Sequence, residues 1–163
     1  MNDDRHRQQL EPVRATDADR EPGGLRCPIR PQALPDESVA VYAAPAEAIH
    51  VGRVRRWACQ LCVDWGIDED GRDAVRAITS GLAGNAVEHS GSADMTVVLS
   101  CDASSVWVEV IDRGRWRFTP TVGPQAMSEH GRGWDLVEGY ATRSGVRRGA
   151  HGTCAWAEVR RSR

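Results

Sequence analysis

The pattern of hydrophobic positions changes near residue 37. Residues 1–36 carry five of the eight prolines, charges of both signs and few large apolar side chains. Such a segment buries too little apolar surface to offset the entropy that ordering costs. We therefore predict a disordered tail over residues 1–36 and a single folded domain over residues 37–163, a length that supports one hydrophobic core.

Two long helices are predicted by apolar side chains that recur at helical spacing. The first spans residues 46–65, and a glycine at position 66 follows where a helix is expected to end. Its buried stripe comprises Val54, Trp57, Ala58, Leu61, Cys62 and Trp65. The second helix spans residues 70–89. Its buried face comprises Val75, Ile78, Leu82 and Ala86.

Short alternating segments predict strands around these helices. The expected strands are Ser38–Tyr42, Ala93–Cys101, Ser105–Asp112, Ala141–Arg147 and Thr153–Arg160. A short helix is expected over Gly133–Tyr140, and residues 113–130 lack a period and are interpreted as a loop or lid. Two long helices followed by strands predict an α+β fold. We expect a two-layer α/β sandwich with a mixed, mostly antiparallel sheet and the helices on one face.

Composition narrows the classes of function. The net charge of −2 does not favour nucleic acid or a membrane surface, and no apolar run is long enough to cross a bilayer. All 21 basic residues are arginine, so a phosphate loop that depends on lysine is excluded. The five cysteines have irregular spacing and no export signal precedes them, which favours reduced thiols in a cytoplasm. Cys59 and Cys62 are interpreted as packing residues of the first helix rather than as zinc or redox ligands.

Four short motifs occur in an order that favours a nucleotide pocket. Asn85 lies near the end of the second predicted helix, and Asp112 and Gly114 follow the third predicted strand. The other two motifs are Gly131-Arg132-Gly133, which opens the short helix, and Gly152-Thr153, which opens the last strand. An amide oxygen is a suitable ligand for Mg²⁺, a strand-end carboxylate can accept a hydrogen bond, and helix N-termini bind phosphate.

These motifs resemble those of the histidine kinase-like ATPase superfamily (GHKL), and within it the bacterial anti-sigma-factor serine/threonine kinases. The resemblance covers about residues 38–160. It implies that Asn85 coordinates Mg²⁺ on the phosphates of ATP, and that Asp112 accepts a hydrogen bond from the adenine amino group. It further implies that Gly114 and Thr153 lie against adenine, and that Gly131, Arg132 and Gly133 contact the phosphates.

Each of these residues also has a purely structural interpretation. Asn85 can be a helix-surface residue, and Asp112 with Gly114 can form an ordinary turn. Thr153 suits a strand by its propensity alone, and a single Gly-x-Gly is often only a flexible loop. His89 is interpreted as a residue of the last helical turn rather than as a phosphate ligand.

One position departs from the family pattern. Members of the family carry a glutamate four residues before the asparagine, where it acts as general base, whereas this chain has Gly81. Loss of a positioned base typically lowers the rate by about 10²–10⁴-fold. We therefore expect a weak or inactive kinase with no catalytic residue at this position. Gly81→Glu is expected to improve the helix, because glutamate is the better helix former, and to gain activity if the rest of the site and a suitable acceptor are present.

By resemblance, the chain is expected to act as an ATP-binding regulator that contacts a sigma factor, an anti-sigma antagonist protein or both, and that can form a homodimer. The alternatives are a catalytically inactive nucleotide-binding module and a module that binds only protein.

Overall fold

The computed structural model describes residues 37–116 and 132–161. Along the chain, the strands and helices are β1 (Ser38–Pro45), α1 (Ala48–Asp64), α2 (Glu69–His89), β2 (Asp94–Cys101), β3 (Ser105–Asp112), α3 (Arg132–Tyr140), β4 (Arg143–Gly149) and β5 (Gly152–Arg160). The predicted tail over residues 1–36 and most of the predicted lid lie outside the described residues.

Every predicted element is present, and the bounds differ most at β1 and β4. The strand β1 runs three residues beyond Tyr42, to Pro45, because all eight of its residues pair with β2. The Ala-Ala-Pro sequence at its end does not alternate, so only the pairing reveals it. The strand β4 begins at Arg143, two residues later than predicted.

The five strands form one sheet in the order β1-β2-β3-β5-β4. The sequence predicted a mixed, mostly antiparallel sheet, and all four pairings between the described strands are antiparallel. The strand β5 lies between β3 and its hairpin partner β4. This order brings the end of β3 beside the start of β5, where Asp112 pairs with Thr153.

The helices pack on one face of the sheet, as predicted. Side chains from α1 and α2 share a buried core with alternate residues of the central strands, including Val108 and Val110 of β3. Burying one such aliphatic side chain contributes about 1.5–3 kcal/mol. The intervening residues point to the opposite face, where Trp107 and Trp156 form a separate pair with ring centroids 5.8 Å apart.

The helix α2 is the central helix of the core, and its ends are well defined. The Asp68 carboxylate accepts a hydrogen bond of 2.7 Å from the backbone N–H of Gly71, which caps the N-terminus. After His89 the chain turns through Gly91, whose φ of 67° is in the left-handed region that favours glycine. This turn places the last part of α2 next to the end of β3. No helix in the described part of the chain is long and apolar enough to cross a membrane.

Candidate functional site

Asp112 is a buried carboxylate at the end of β3, on the face of the sheet that the helices cover. Its side chain is only 2% exposed. The carboxylate oxygen Oδ1 accepts a hydrogen bond of 2.8 Å from the backbone N–H of Gly114. The other oxygen, Oδ2, accepts one of 2.6 Å from the indole N–H of Trp116. Both oxygens of the predicted adenine-binding residue are therefore engaged by the chain itself.

Burial changes the acidity of this carboxyl group. Desolvation raises the pKa of Asp112 above its ordinary value of 3.8, and the hydrogen bonds from Trp116 and Gly114 oppose that rise. The two hydrogen bonds stabilise the charged form, so they are charge-assisted.

Gly114 is held between the end of α2 and the start of β5. A Cβ atom at this position would overlap the backbone carbonyl of Ser90, so the close approach of the two backbones requires glycine. The hydroxyl of Thr153 donates a hydrogen bond of 3.1 Å to the carbonyl of Gly114. The predicted residues Asp112, Gly114 and Thr153 thus lie together, and we call them, with Trp116, the carboxylate cluster.

A second group of predicted residues lies where α2 meets α3. The side chain of Asn85 is 3% exposed, and its Nδ2 atom has no hydrogen-bond partner among the described residues. On α3, a Cβ atom at Gly133 would lie 2.9 Å from Oδ1 of Asn85. We call Gly81, Asn85 and Gly133 the amide cluster. An unpaired buried amide is costly, by about 1–3 kcal/mol.

Gly81 lets the two helices touch. A Cβ atom at Gly81 would overlap the backbone carbonyl of Gly133 and would lie 3.0 Å from Cγ2 of Val137. The expectation that Gly81→Glu improves the helix is therefore wrong for this arrangement, and the expected gain of activity stays a prediction. Helix propensity favours glutamate, but the backbone of α3 fills the space that its side chain needs.

Apart from Asp112, the buried acidic residues of the described part do not lie on the face of the sheet that the helices cover. The buried acidic residues of the described part are Glu109, Asp112 and Glu158. Glu109 and Glu158 alternate with the core residues of their strands, so they point to the opposite face of the sheet. Glu88, on α2, is 68% exposed and lies 3.7 Å from the imidazole of His89.

Both clusters lie on the C-terminal half of α2. Asn85 belongs to the amide cluster, and Ser90, which contacts the carboxylate cluster, is five residues further on. That separation corresponds to roughly 7.5 Å along a helix axis. The predicted residue Gly131 lies outside the described part of the chain. Arg132 begins α3, but its side chain also lies outside that part.

Sequence reasoning does not identify Trp116 as a residue of the site, because the six tryptophans are scattered along the chain and suit packing roles. A signal is present, since an indole N–H four residues after a strand-end aspartate is within reach of its carboxylate. Ser90 is also missed, and nothing in the local sequence marks its contact with Gly114.

The described residues offer few protein ligands to a metal ion. The described residues contain no group of three or more His, Cys, Asp or Glu side chains that could hold a metal ion. Mg²⁺ keeps most of its waters and needs few protein ligands, and the buried amide of Asn85 suits it. Cys59 and Cys62 are free thiols on α1, and burial raises the pKa of Cys62 to about 12, which agrees with a packing role.

Comparisons with known proteins agree with this fold. The family model of the histidine kinase-like ATPase domain matches residues 44–159. The chain is also similar to the crystal structure of the RsbU and RsbW domains of Rv1364c from Mycobacterium tuberculosis, with a TM-score of 0.61 and 23% sequence identity. That match covers 77% of this chain and 33% of the other, so this chain spans about a third of its neighbour's length. No curated protein matches. The predicted α+β sandwich is confirmed.

Proposed function

Because the chain belongs to the histidine kinase-like ATPase family, we propose that its folded domain binds ATP with Mg²⁺ along the C-terminal half of α2. The carboxylate cluster takes the adenine, and the amide cluster takes the phosphates and the metal. The observation that carries this proposal is the buried amide of Asn85, whose Nδ2 atom has no partner among the described residues. A bound polar ligand would supply the missing partner.

Each cluster offers groups that suit its part of the nucleotide. Asp112 is an acceptor for an amino group, and the Thr153 hydroxyl lies beside it, hydrogen-bonded to the carbonyl of Gly114. At the other end, Gly133 lies in the first turn of α3, where backbone N–H groups favour anions. Gly131 and Arg132 are proposed to add further phosphate contacts. When bound, Mg²⁺ would neutralise phosphate charge, and Asn85 would hold it in place.

The proposed role is regulatory and not catalytic. Gly81 provides no base, and the buried Glu109 and Glu158 point to the opposite face of the sheet, so phosphoryl transfer is expected to be slow or absent. From the resemblance of its motifs to the anti-sigma-factor kinases, the partner is proposed to be a sigma factor or an antagonist protein in the cytoplasm. ATP would then act as a structural ligand of the regulator.

A second candidate function is a protein-binding module that takes no nucleotide. The observation that favours it is Asp112, whose two oxygens already accept hydrogen bonds from Gly114 and Trp116. In this case the site would serve only to stabilise the fold.

Calorimetric titration with ATP, with and without Mg²⁺, separates the two candidates. Nucleotide binding predicts saturable heat in wild type and a clear loss of affinity in Asp112→Asn, which replaces an acceptor oxygen with a donor. Asp94→Asn is the matched control, because Asp94 is exposed and lies one residue from the strand partner of Asp112. Equal affinity in wild type and Asp112→Asn would contradict the assignment of the adenine end. If neither wild type nor any folded variant binds ATP, including variants with Trp116 replaced, the protein-binding module is favoured.

A further inference from the structure

We propose that Trp116 occupies the adenine position itself, so that nucleotide and Trp116 compete for the carboxylate of Asp112. The inference rests on the proposed function, because it takes Asp112 as the acceptor of the adenine amino group. It adds a regulatory device to that site: the pocket is closed by the side chain of the chain's own tryptophan and must open before a nucleotide can enter.

The hydrogen bond is the first observation. The indole N–H of Trp116 donates to Oδ2 of Asp112 at 2.6 Å. An adenine amino group would offer the same chemistry, an N–H donor on a flat aromatic ring system. Indole and purine are both fused rings of five and six members, so one can take the other's place in shape as well as in hydrogen bonding.

Burial is the second observation. Trp116 is 3% exposed and Asp112 is 2% exposed, and Trp116 belongs to the hydrophobic core shared by the helices and the sheet. The second carboxylate oxygen, Oδ1, is already bound to the backbone N–H of Gly114. A second flat ring therefore has no room beside Asp112 until the indole leaves.

The position of Trp116 in the chain makes such a movement feasible. Trp116 lies four residues beyond the end of β3, outside the strands and helices, so its side chain can leave without breaking a strand pairing. Gly114, in contrast, is fixed by backbone contacts with Ser90 and by the Thr153 hydroxyl. The carboxylate would remain in place while the indole moves out.

Competition lowers the apparent nucleotide affinity in proportion to the fraction of molecules with an open pocket. Hydrogen bonds to charged groups correspond to about a 10- to 100-fold change in an equilibrium constant. We therefore expect that weakening the indole contact tightens nucleotide binding by a factor in this range.

The test compares Trp116→Phe with wild type and with Trp107→Phe. Phenylalanine keeps an aromatic ring but has no N–H donor for Asp112. Trp107 is equally buried but lies on the opposite face of the sheet, so Trp107→Phe is a matched control for the loss of one buried indole. In titrations with ATP, we expect Trp116→Phe to bind about tenfold more tightly or better, and Trp107→Phe to bind like wild type.

The outcomes separate this inference from the proposed function. Suppose that wild type binds ATP, that this binding depends on Asp112, and that folded Trp116→Phe binds ATP no more tightly than wild type. This result would overturn the competition but would leave the nucleotide site in place. Binding by wild type that becomes at least tenfold tighter in Trp116→Phe would support both. Absence of binding by wild type and by folded Trp116→Phe would overturn both.

A second measurement uses wild type and so does not depend on the variant's folding. In protein labelled with ¹⁵N-tryptophan, the short bond to Asp112 should give the indole N–H of Trp116 a distinct resonance. We expect this resonance to shift when ATP saturates the protein. An unchanged Trp116 resonance at saturation would contradict the displacement.

Discussion

The carboxylate cluster and the amide cluster lie on the same half of α2, but they are closed in different ways. At the carboxylate cluster, a side chain fills the space, and both oxygens of Asp112 have partners within the chain. At the amide cluster, the backbones of α2 and α3 meet at Gly81 and Gly133, and the Nδ2 atom of Asn85 has no described partner. One cluster is complete without a ligand, whereas the other is not.

This difference has separate consequences for the proposed binding of a nucleotide and for phosphoryl transfer. The proposed opening of the carboxylate cluster needs only a movement of the Trp116 side chain, which lies outside the strands and helices. The contact between Gly81 and Gly133 is made by backbone atoms, which cannot move without shifting a helix. Under the proposal, the adenine end opens by a side-chain movement, whereas a larger side chain at position 81 would overlap the backbone of α3.

The largest expected effect comes from adding a methyl group to the helix contact. Gly81→Ala should destabilise the domain by about 1–3 kcal/mol, because the new Cβ overlaps the carbonyl of Gly133. Gly84→Ala is the matched control on the same helix, since nothing lies within 4 Å of its added Cβ. It should stabilise the domain by about 1 kcal/mol through helix propensity. Urea denaturation measures both changes. Equal stabilisation by the two substitutions would show that α3 does not press on Gly81.

The next effect concerns the buried amide. Asn85→Ala should abolish the enhancement of ATP binding by Mg²⁺ and spare the part of the affinity that does not need the metal. Without ligand, the free energy of unfolding of Asn85→Ala should fall less than when a hydrogen-bonded buried polar side chain is replaced by alanine. The reason is that Asn85→Ala removes an unpaired donor and that alanine favours the helix. Titrations with and without Mg²⁺ test the first expectation, and urea denaturation tests the second. An undiminished Mg²⁺ effect in the variant would exclude Asn85 as the ligand.

The smallest effect is a dependence of stability on pH at the carboxylate cluster. Burial raises the pKa of Asp112 above 3.8, so the folded state favours its protonated form. The resulting stabilisation is fully present below pH 3.8 and is lost as the pH rises through the raised pKa. Relative to Asp112→Asn, wild type should therefore gain stability as the pH falls from about 7 to about 4.5. Denaturation of both proteins at the two pH values measures the difference, and a constant difference would contradict the raised pKa.

The fold could be predicted largely from sequence because its main signals are local. The apolar faces of α2 and β3 follow simple periods, and the predicted ends of β3 match the observed strand. The last residues of β1 could not be predicted, because only their pairing with β2 makes them a strand. The positions of Asp112 at a strand end and of Asn85 near a helix end were predicted correctly, and their roles toward a nucleotide stay predictions.

The contacts that decide the chemistry could not be predicted, because they join distant parts of the chain. Gly81 touches Gly133, which is 52 positions away, and a scale of helix propensity carries no information about that contact. The bond from Trp116 to Asp112 spans only four residues, but it depends on the path of the chain after β3. In both cases tertiary packing overrides the local preference.

The central claim is that the site holds ATP but does not turn it over. A single-turnover experiment tests this most directly: excess folded wild-type protein is mixed with γ-labelled ATP and Mg²⁺, and the bound nucleotide is analysed over time. We expect ATP to be retained on the protein and to remain intact for many minutes. Conversion at rates typical of kinases, about 1 per second or faster, would show that another group acts as base. Nucleotide binding by the wild-type chain would be contradicted if wild type retained no ATP even at protein concentrations well above those at which Trp116→Phe binds it.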